Sequence, residues 1–159
     1  MGSLGTVLSA LALALAPAIA GAACAPDTVE LRGPSGVARF HVEVADEPAE
    51  QAKGLMFREK MAASAGMLFV FPAPKRASFW MKNTLIPLDM IFADAAGRVT
   101  RVHAMAVPGD ESPIDGGEGV AMVLEINGGL AARLGIAPGA ELRHPAVDAA
   151  LAAWSCAEG

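Results

Sequence analysis

The sequence lacks the short motifs by which the common enzyme chemistries are usually read. It has no Gly-x-Ser-x-Gly elbow, no Walker loop, no Gly-x-Gly-x-x-Gly turn, and no His-x-x-x-His or Cys-x-x-Cys pair. Those absences argue against the common serine-hydrolase, phosphate-cradle, dinucleotide-binding and zinc scaffolds. Cysteine is scarce as well: Cys24 and Cys156 are the only two, far apart in the chain, which makes a catalytic thiol a poor expectation. Basic residues form no stripe, and 12 Lys and Arg against 17 Asp and Glu leave a net charge of -5. A mildly acidic surface argues against nucleic acid and anionic membrane surfaces as partners.

Long apolar sequence is confined to the start of the chain. Met1 to Ala23 carries no charge, Leu8 to Ala20 is nearly all Leu and Ala, and the small residues Ala20-Gly21-Ala22-Ala23 come next. That pattern predicts a secretory signal peptide over 1–23, although no Lys or Arg precedes its apolar core; it is too short for a transmembrane span. Export, to the periplasm, is the expected localisation. The mature chain is long enough for one domain with a proper core.

In an oxidising compartment the simple reading of Cys24 and Cys156 is a disulfide joining the ends of the mature chain. The alternative is a lipoprotein anchored at Cys24. It would leave Cys156 unpaired, and Gly21 stands where a lipobox usually has Leu.

The remaining sequence is rich in strand signals. Val37 to Val44 alternates strictly, with Ala38, Phe40, Val42 and Val44 on one face and Arg39, His41 and Glu43 on the other. A short helix is expected after Asp46, with Pro48 in its first turn and Lys53-Gly54 at its end. Further strands are expected over Gly66 to Phe71, Ser78 to Lys82, Leu88 to Ala93, Arg98 to Val107, Val120 to Asn127 and Glu141 to Arg143. Gly128 to Leu134 reads as a second short helix, Pro108 to Gly119 as a loop, and the Ala-rich tail at 146–159 as helical. About seven short strands with two or three short helices predict a mainly β domain, either a single β-sandwich or a partly closed barrel.

The densest cluster of unusual residues is Phe79-Trp-Met-Lys-Asn-Thr-Leu-Ile-Pro-Leu-Asp89, which sets Lys82, Asn83, Thr84 and Asp89 within apolar sequence. Together with Gly54-Leu-Met-Phe-Arg58, Gly66-Met-Leu-Phe-Val-Phe71, Val123-Leu-Glu-Ile-Asn-Gly-Gly129 and Leu134-Gly-Ile136, it resembles the bacterial and archaeal domain-of-unknown-function family 192. The resemblance runs over about residues 28–145. It implies a compact, mainly β, often exported domain with no assigned activity, and it transfers no catalytic residue.

The residues support three site readings. The first is a recognition patch for a small polar or cell-envelope ligand, with Trp80 as an aromatic platform and Lys82, Asn83, Thr84, Asp89 and Arg58 as polar partners. Its structural alternative is a Lys82–Asp89 ion pair beside a tight Asn83-Thr84 loop. In the second, Asp89 and Glu125 form an acid–base catalytic pair on a shared cleft. Glu125 is the oddest carboxylate of the chain; if buried, it should pair with Arg58 or Lys82, or carry a raised pKa. The third is copper(I) held by Met81, His103 and Met105, thioether and imidazole being suitable ligands. It departs from the periplasmic copper-chaperone pattern at Val70, and Arg101 would repel the cation. Asp110, Glu111, Asp115 and Glu118 read as a solvated acidic loop rather than a calcium site, and His41 and His144 as surface residues. The preferred reading is non-catalytic ligand binding with no cofactor and no metal.

Overall fold

The computed structural model describes residues 1–2 and 24–158, so the expected signal peptide lies outside the described residues apart from its first two positions. Seven strands form one sheet in the order β5-β4-β6-β3-β2-β1-β7: β1 Thr28–Gly33, β2 Gly36–Ala45, β3 Ala65–Phe79, β4 Leu88–Ala93, β5 Val99–Ala106, β6 Ile114–Asn127 and β7 Glu141–Arg143. Helix α1 Pro48–Lys53 bridges the parallel pair β2 and β3, and α2 Leu130–Leu134 comes after β6; every other pairing is antiparallel. The sheet curls until its edges meet at one end. There Arg98 bridges Glu141, and Val99 N–H donates to the Ala140 carbonyl at 2.8 Å. This is the partly closed barrel of the two expected architectures.

Curling gives the sheet two cores. Its inner face packs Leu31, Phe40, Leu68, Ile91, Leu124, Ile126 and Leu142 against Leu130 and Ala131 of α2. Its outer face packs Met67, Phe69, Met90, Phe92 and Val123 with Leu55 and Met81 from the flanking loops. The strands β4 and the end of β6 are therefore apolar on both sides, which explains their unbroken hydrophobic runs.

Five local expectations are corrected. No strand is expected before Val37, yet Thr28–Gly33 forms β1, with Val29 and Leu31 inward and Glu30 held by arginines. The strand expected at Ser78 to Lys82 is instead the end of the long β3, which stops at Phe79. Pro72 and Pro74 suggest a break there because proline cannot donate to a ladder. The chain absorbs them in a bulge, where the register against β6 jumps from Val70↔Met122 to Lys75↔Val120. The loop expected over Pro108 to Gly119 is half strand, since β6 begins at Ile114 and Gly117 and Gly119 take positive φ opposite that bulge.

The tail forms turns, not a helix, over the described residues 146–158. Tertiary docking outweighs the helix propensity of alanine. Trp154 is buried between the guanidinium groups of Arg143 and Arg32, 4.1 and 4.8 Å from its ring. Cys156 beside it is disulfide-bonded to Cys24. His144 is not a surface residue: it is buried, its Nε2 lies 2.8 Å from the Pro26 carbonyl oxygen, and burial pushes its pKa down.

Candidate functional site

Strand periodicity decides where the two singled-out carboxylates go. On the β4–β6 ladder Asp89 sits opposite Ile126, and Glu125 sits opposite Met90. Neighbouring side chains on a strand leave opposite faces. Asp89 therefore joins the inner face with Ile126, and Glu125 the outer face with Met90. The expected acid–base pair fails, because the sheet lies between its two members.

Asp89 is fully buried and fully engaged. Its carboxylate accepts hydrogen bonds from the backbone N–H groups of Met105 at 2.8 Å, Gly129 at 2.9 Å and Ala131 at 2.8 Å. Gly129, the residue before α2, has no side chain to cap the helix, and Asp89 supplies that acceptor from β4. The expected Lys82–Asp89 ion pair is absent for the same reason. Lys82 instead lies on the surface, its Nζ 5.0 Å over the Trp80 ring and 4.0 Å from Glu111. Asp89 is a structural tie between β5 and α2 and leaves the recognition patch.

Glu125 has the opposite environment. It is only 4% exposed, and among the described residues its carboxyl has no ion-pair or hydrogen-bond partner; burial alone raises its pKa to about 8. Arg58, one expected partner, is spent on Glu43 in a two-pronged pair of 2.5 and 2.6 Å. Glu125 instead opens onto a groove of about 510 Å³ on the outer face. Phe69, Phe71 and Phe79 line its floor; Leu55 and Met56 from the loop after α1 form one wall, and Trp80 and Thr84 the other. Lys53, Lys75 and Arg76 bring cationic side chains to it. The floor is held by edge-to-face rings: Phe79 meets Phe69 at 5.1 Å and Phe92 at 5.9 Å.

Of the expected patch, Trp80 and Thr84 line the groove, and Trp80 is 48% exposed. Asn83 and Arg58 lie just outside it. Asn83 adopts φ 51° and its carbonyl accepts the N–H of Phe57, itself at φ 66°, tying the two wall loops together. Phe71, Lys75 and Arg76 were not anticipated as site residues. Phe71 lies in the strand expected over Gly66 to Phe71 but reads there as core, while β3 reaches Lys75 and Arg76 only by running through Pro72 and Pro74.

The copper reading meets a correction too. Met81 is wholly buried in the outer core, whereas Met105 is half exposed. Between them and His103, the β4–β5 register slips from Met90↔His103 to Leu88↔Ala106, and Met105 takes φ 55°. That bulge breaks the alternation that would have put His103 and Met105 on one face. Nor do the loop acids converge: Asp115 and Glu118 both bind Arg76, at 2.6 and 2.9 Å, while Asp110 accepts the Ser112 N–H.

A small, mainly β half-barrel with a Glu-floored, aromatic-walled groove is the class of protein these features define. The DUF192 family model, described as an uncharacterized ACR, matches residues 29–144, and the chain belongs to that family. It is similar to a crystal structure of a protein of unknown function from Novosphingobium aromaticivorans, with 50% identity over 72% of this chain and 82% of that one at a TM-score of 0.71. It is also similar to a protein from Sinorhizobium meliloti, described provisionally as a transcription regulator, with 42% identity over 77% of this chain and 95% of that one at a TM-score of 0.71. No functionally curated protein matches the sequence. Among the described residues, no helix is long and apolar enough to cross a membrane.

Proposed function

We propose that this chain is an exported, non-catalytic binding module of the cell envelope, and that its ligand lies in the groove between Trp80 and Glu125. The observation that carries the reading is Glu125 itself. A carboxyl buried to this degree normally has a partner, and this one faces an open cavity instead. At neutral pH it is a hydrogen-bond donor held ready at the floor, since it titrates at about 8. The cavity falls in the size range of small-ligand sites, and its lining mixes aromatic and aliphatic side chains with polar and charged ones. Trp80 offers an aromatic side chain to a ring, and Gln51, Lys53, Lys75, Arg76 and Ser78 supply polar groups around it. The Cys24–Cys156 disulfide and the apolar leader support export.

A second reading keeps Glu125 as a lone general acid, because a carboxyl that titrates near neutrality is suited to proton transfer. One experiment separates the two: a thermal-shift screen of the oxidised protein against sugars, cell-wall fragments, short peptides and aromatic acids, beside Trp80→Ala and Glu125→Gln. A ligand at about 100 times its dissociation constant adds roughly 2.7 kcal/mol. Stabilisation lost in Trp80→Ala, with the ligand recovered unchanged, is the expected result. Turnover that disappears in Glu125→Gln would replace the binding reading with the catalytic one. Stabilisation that survives Trp80→Ala in full would remove the groove from the reading.

A further inference from the structure

The charges around the groove are unlike those of the chain as a whole. The protein is acidic, at -5, yet the charged side chains lining the groove besides Glu125 are Lys53, Lys75 and Arg76. The charge of Arg76 is answered by Asp115 and Glu118. Neither Lys53 nor Lys75 has an ion-pair partner among the described residues, and Lys75 Nζ rests 3.9 Å over the Phe71 ring of the groove floor. A lysine laid on an aromatic face keeps its charge available to an incoming anion. Beside it lie Phe69 and Phe79, with a carboxyl at the bottom that has no partner among the described residues.

We infer that the groove takes an aromatic or similarly flat anion, whose ring lies against Trp80 and the phenylalanine floor, whose carboxylate or phosphate meets Lys75 and Lys53, and which accepts a hydrogen bond from the Glu125 carboxyl. This inference rests on the groove being the binding site and adds the ligand's chemical class. It also makes capture dependent on protonation. The charged groups on the elements around Glu125 are Lys53 of α1, which Glu43 of β2 also faces, and Lys75 and Arg76 of β3, the latter answered by Asp115 and Glu118 of β6; β4 brings the uncharged Met90, and the loop after β3 brings Trp80 and Thr84. Once Glu125 ionises, it loses its donor and places a negative charge beneath the bound anion. Affinity therefore falls as pH rises through about 8.

The test is a titration of the full oxidised protein with benzoate, phenyl phosphate and the neutral benzamide, read by Trp80 fluorescence and by amide chemical shifts. It is run near pH 6 and near pH 9.5, with Lys75→Ala and Glu125→Gln alongside. The expected result is an anion that binds about tenfold more tightly than benzamide near pH 6, a preference reduced in Lys75→Ala. Comparing benzoate with phenyl phosphate tells which head group the rim prefers. Anion affinity drops about tenfold or more near pH 9.5 in the wild type and stays level in Glu125→Gln, whose amide donates at both pH values. Equal affinity for benzamide would overturn the anion inference and leave the groove reading intact. Wild-type affinity independent of pH would overturn the part assigned to Glu125. If no probe at millimolar concentration perturbs Trp80 or the groove amides, both the inference and the reading beneath it fall. Lys75 is on the surface, so its variant reports on charge even if Glu125→Gln folds poorly.

Discussion

The Asp89 carboxylate lies 2.8 Å from the backbone nitrogen of Ala131, a residue 42 positions later in the chain, and thereby fastens α2 to β4. The same carboxylate holds Gly129 and Met105, so one side chain joins a helix start, an edge strand and a central strand.

Asp89→Ala should therefore be among the most damaging single changes. It removes the acceptor of one buried and two part-buried N–H groups, and an unsatisfied buried donor costs about 1–3 kcal/mol. A total loss of roughly 3–5 kcal/mol in urea unfolding is expected, taking the non-additivity of neighbouring bonds into account. A loss below about 1 kcal/mol would show that Asp89 does not tie β5 and α2 to β4.

Glu125 should make the protein less stable as pH rises. Its carboxyl titrates at about 8 in the fold against an ordinary 4.5. Between those values the folded protein keeps a proton that the unfolded chain has released. The stability is thus fully present below about pH 4.5, declines through the window, and is lost above about pH 8, to the extent of up to roughly 5 kcal/mol. His144, whose pKa burial lowers, contributes a slope of opposite sign, which cancels when wild type and Glu125→Gln are compared. That comparison should show the variant gaining relative stability with increasing pH. A pH-independent difference would mean that Glu125 has a partner in solution.

Reducing the Cys24–Cys156 bond should release a loop spanning a sequence separation of 132 residues. In the chain-entropy account such a closure is worth roughly 4–5 kcal/mol. The paired Cys24→Ser, Cys156→Ser variant is expected to lose about that amount and to expose Trp154, which fluorescence would register as a red shift. Unchanged stability would assign the tail's docking to Trp154 between Arg32 and Arg143 rather than to the disulfide.

Gly116→Ala should disturb the groove from behind. A Cβ there would overlap the ring of Phe92 and come within 3.1 Å of Ala77 Cβ. Phe92 is fully buried and packs on Phe79, a residue of the groove floor, so the ring has little room to yield. Overpacking of this kind costs about 1–3 kcal/mol. The amide shifts of Phe79 and Trp80 should move with the loss of stability, whereas silent shifts there would show that Phe92 relaxes elsewhere.

Much of the strand layout is readable in the chain. The alternation of Val37 to Val44 places Phe40 and Val42 inward, and the hydrophobic runs at Leu88 to Ala93 and Val120 to Asn127 become the two-sided centre of the sheet. Gly128 to Leu134 ends at Gly135 in a left-handed cap, as its composition suggests. Local rules fail where distant segments overrule them. Pro72 and Pro74 lie inside a strand because a bulge absorbs them, and the alanines of the tail give up a helix to dock Trp154.

The order of residues was enough to establish a β domain of the DUF192 type, with cysteines able to close its ends and an unusual carboxylate at each of positions 89 and 125. It was enough because periodicity and motif order are properties of neighbouring residues. What each carboxylate does was decided by tertiary structure alone. Both stand among apolar neighbours in the chain, but the β4–β6 register sends their side chains to opposite faces of the sheet. On one face α2 and β5 bring three N–H groups to Asp89; on the other, no described residue reaches the Glu125 carboxyl, and a groove is left open above it.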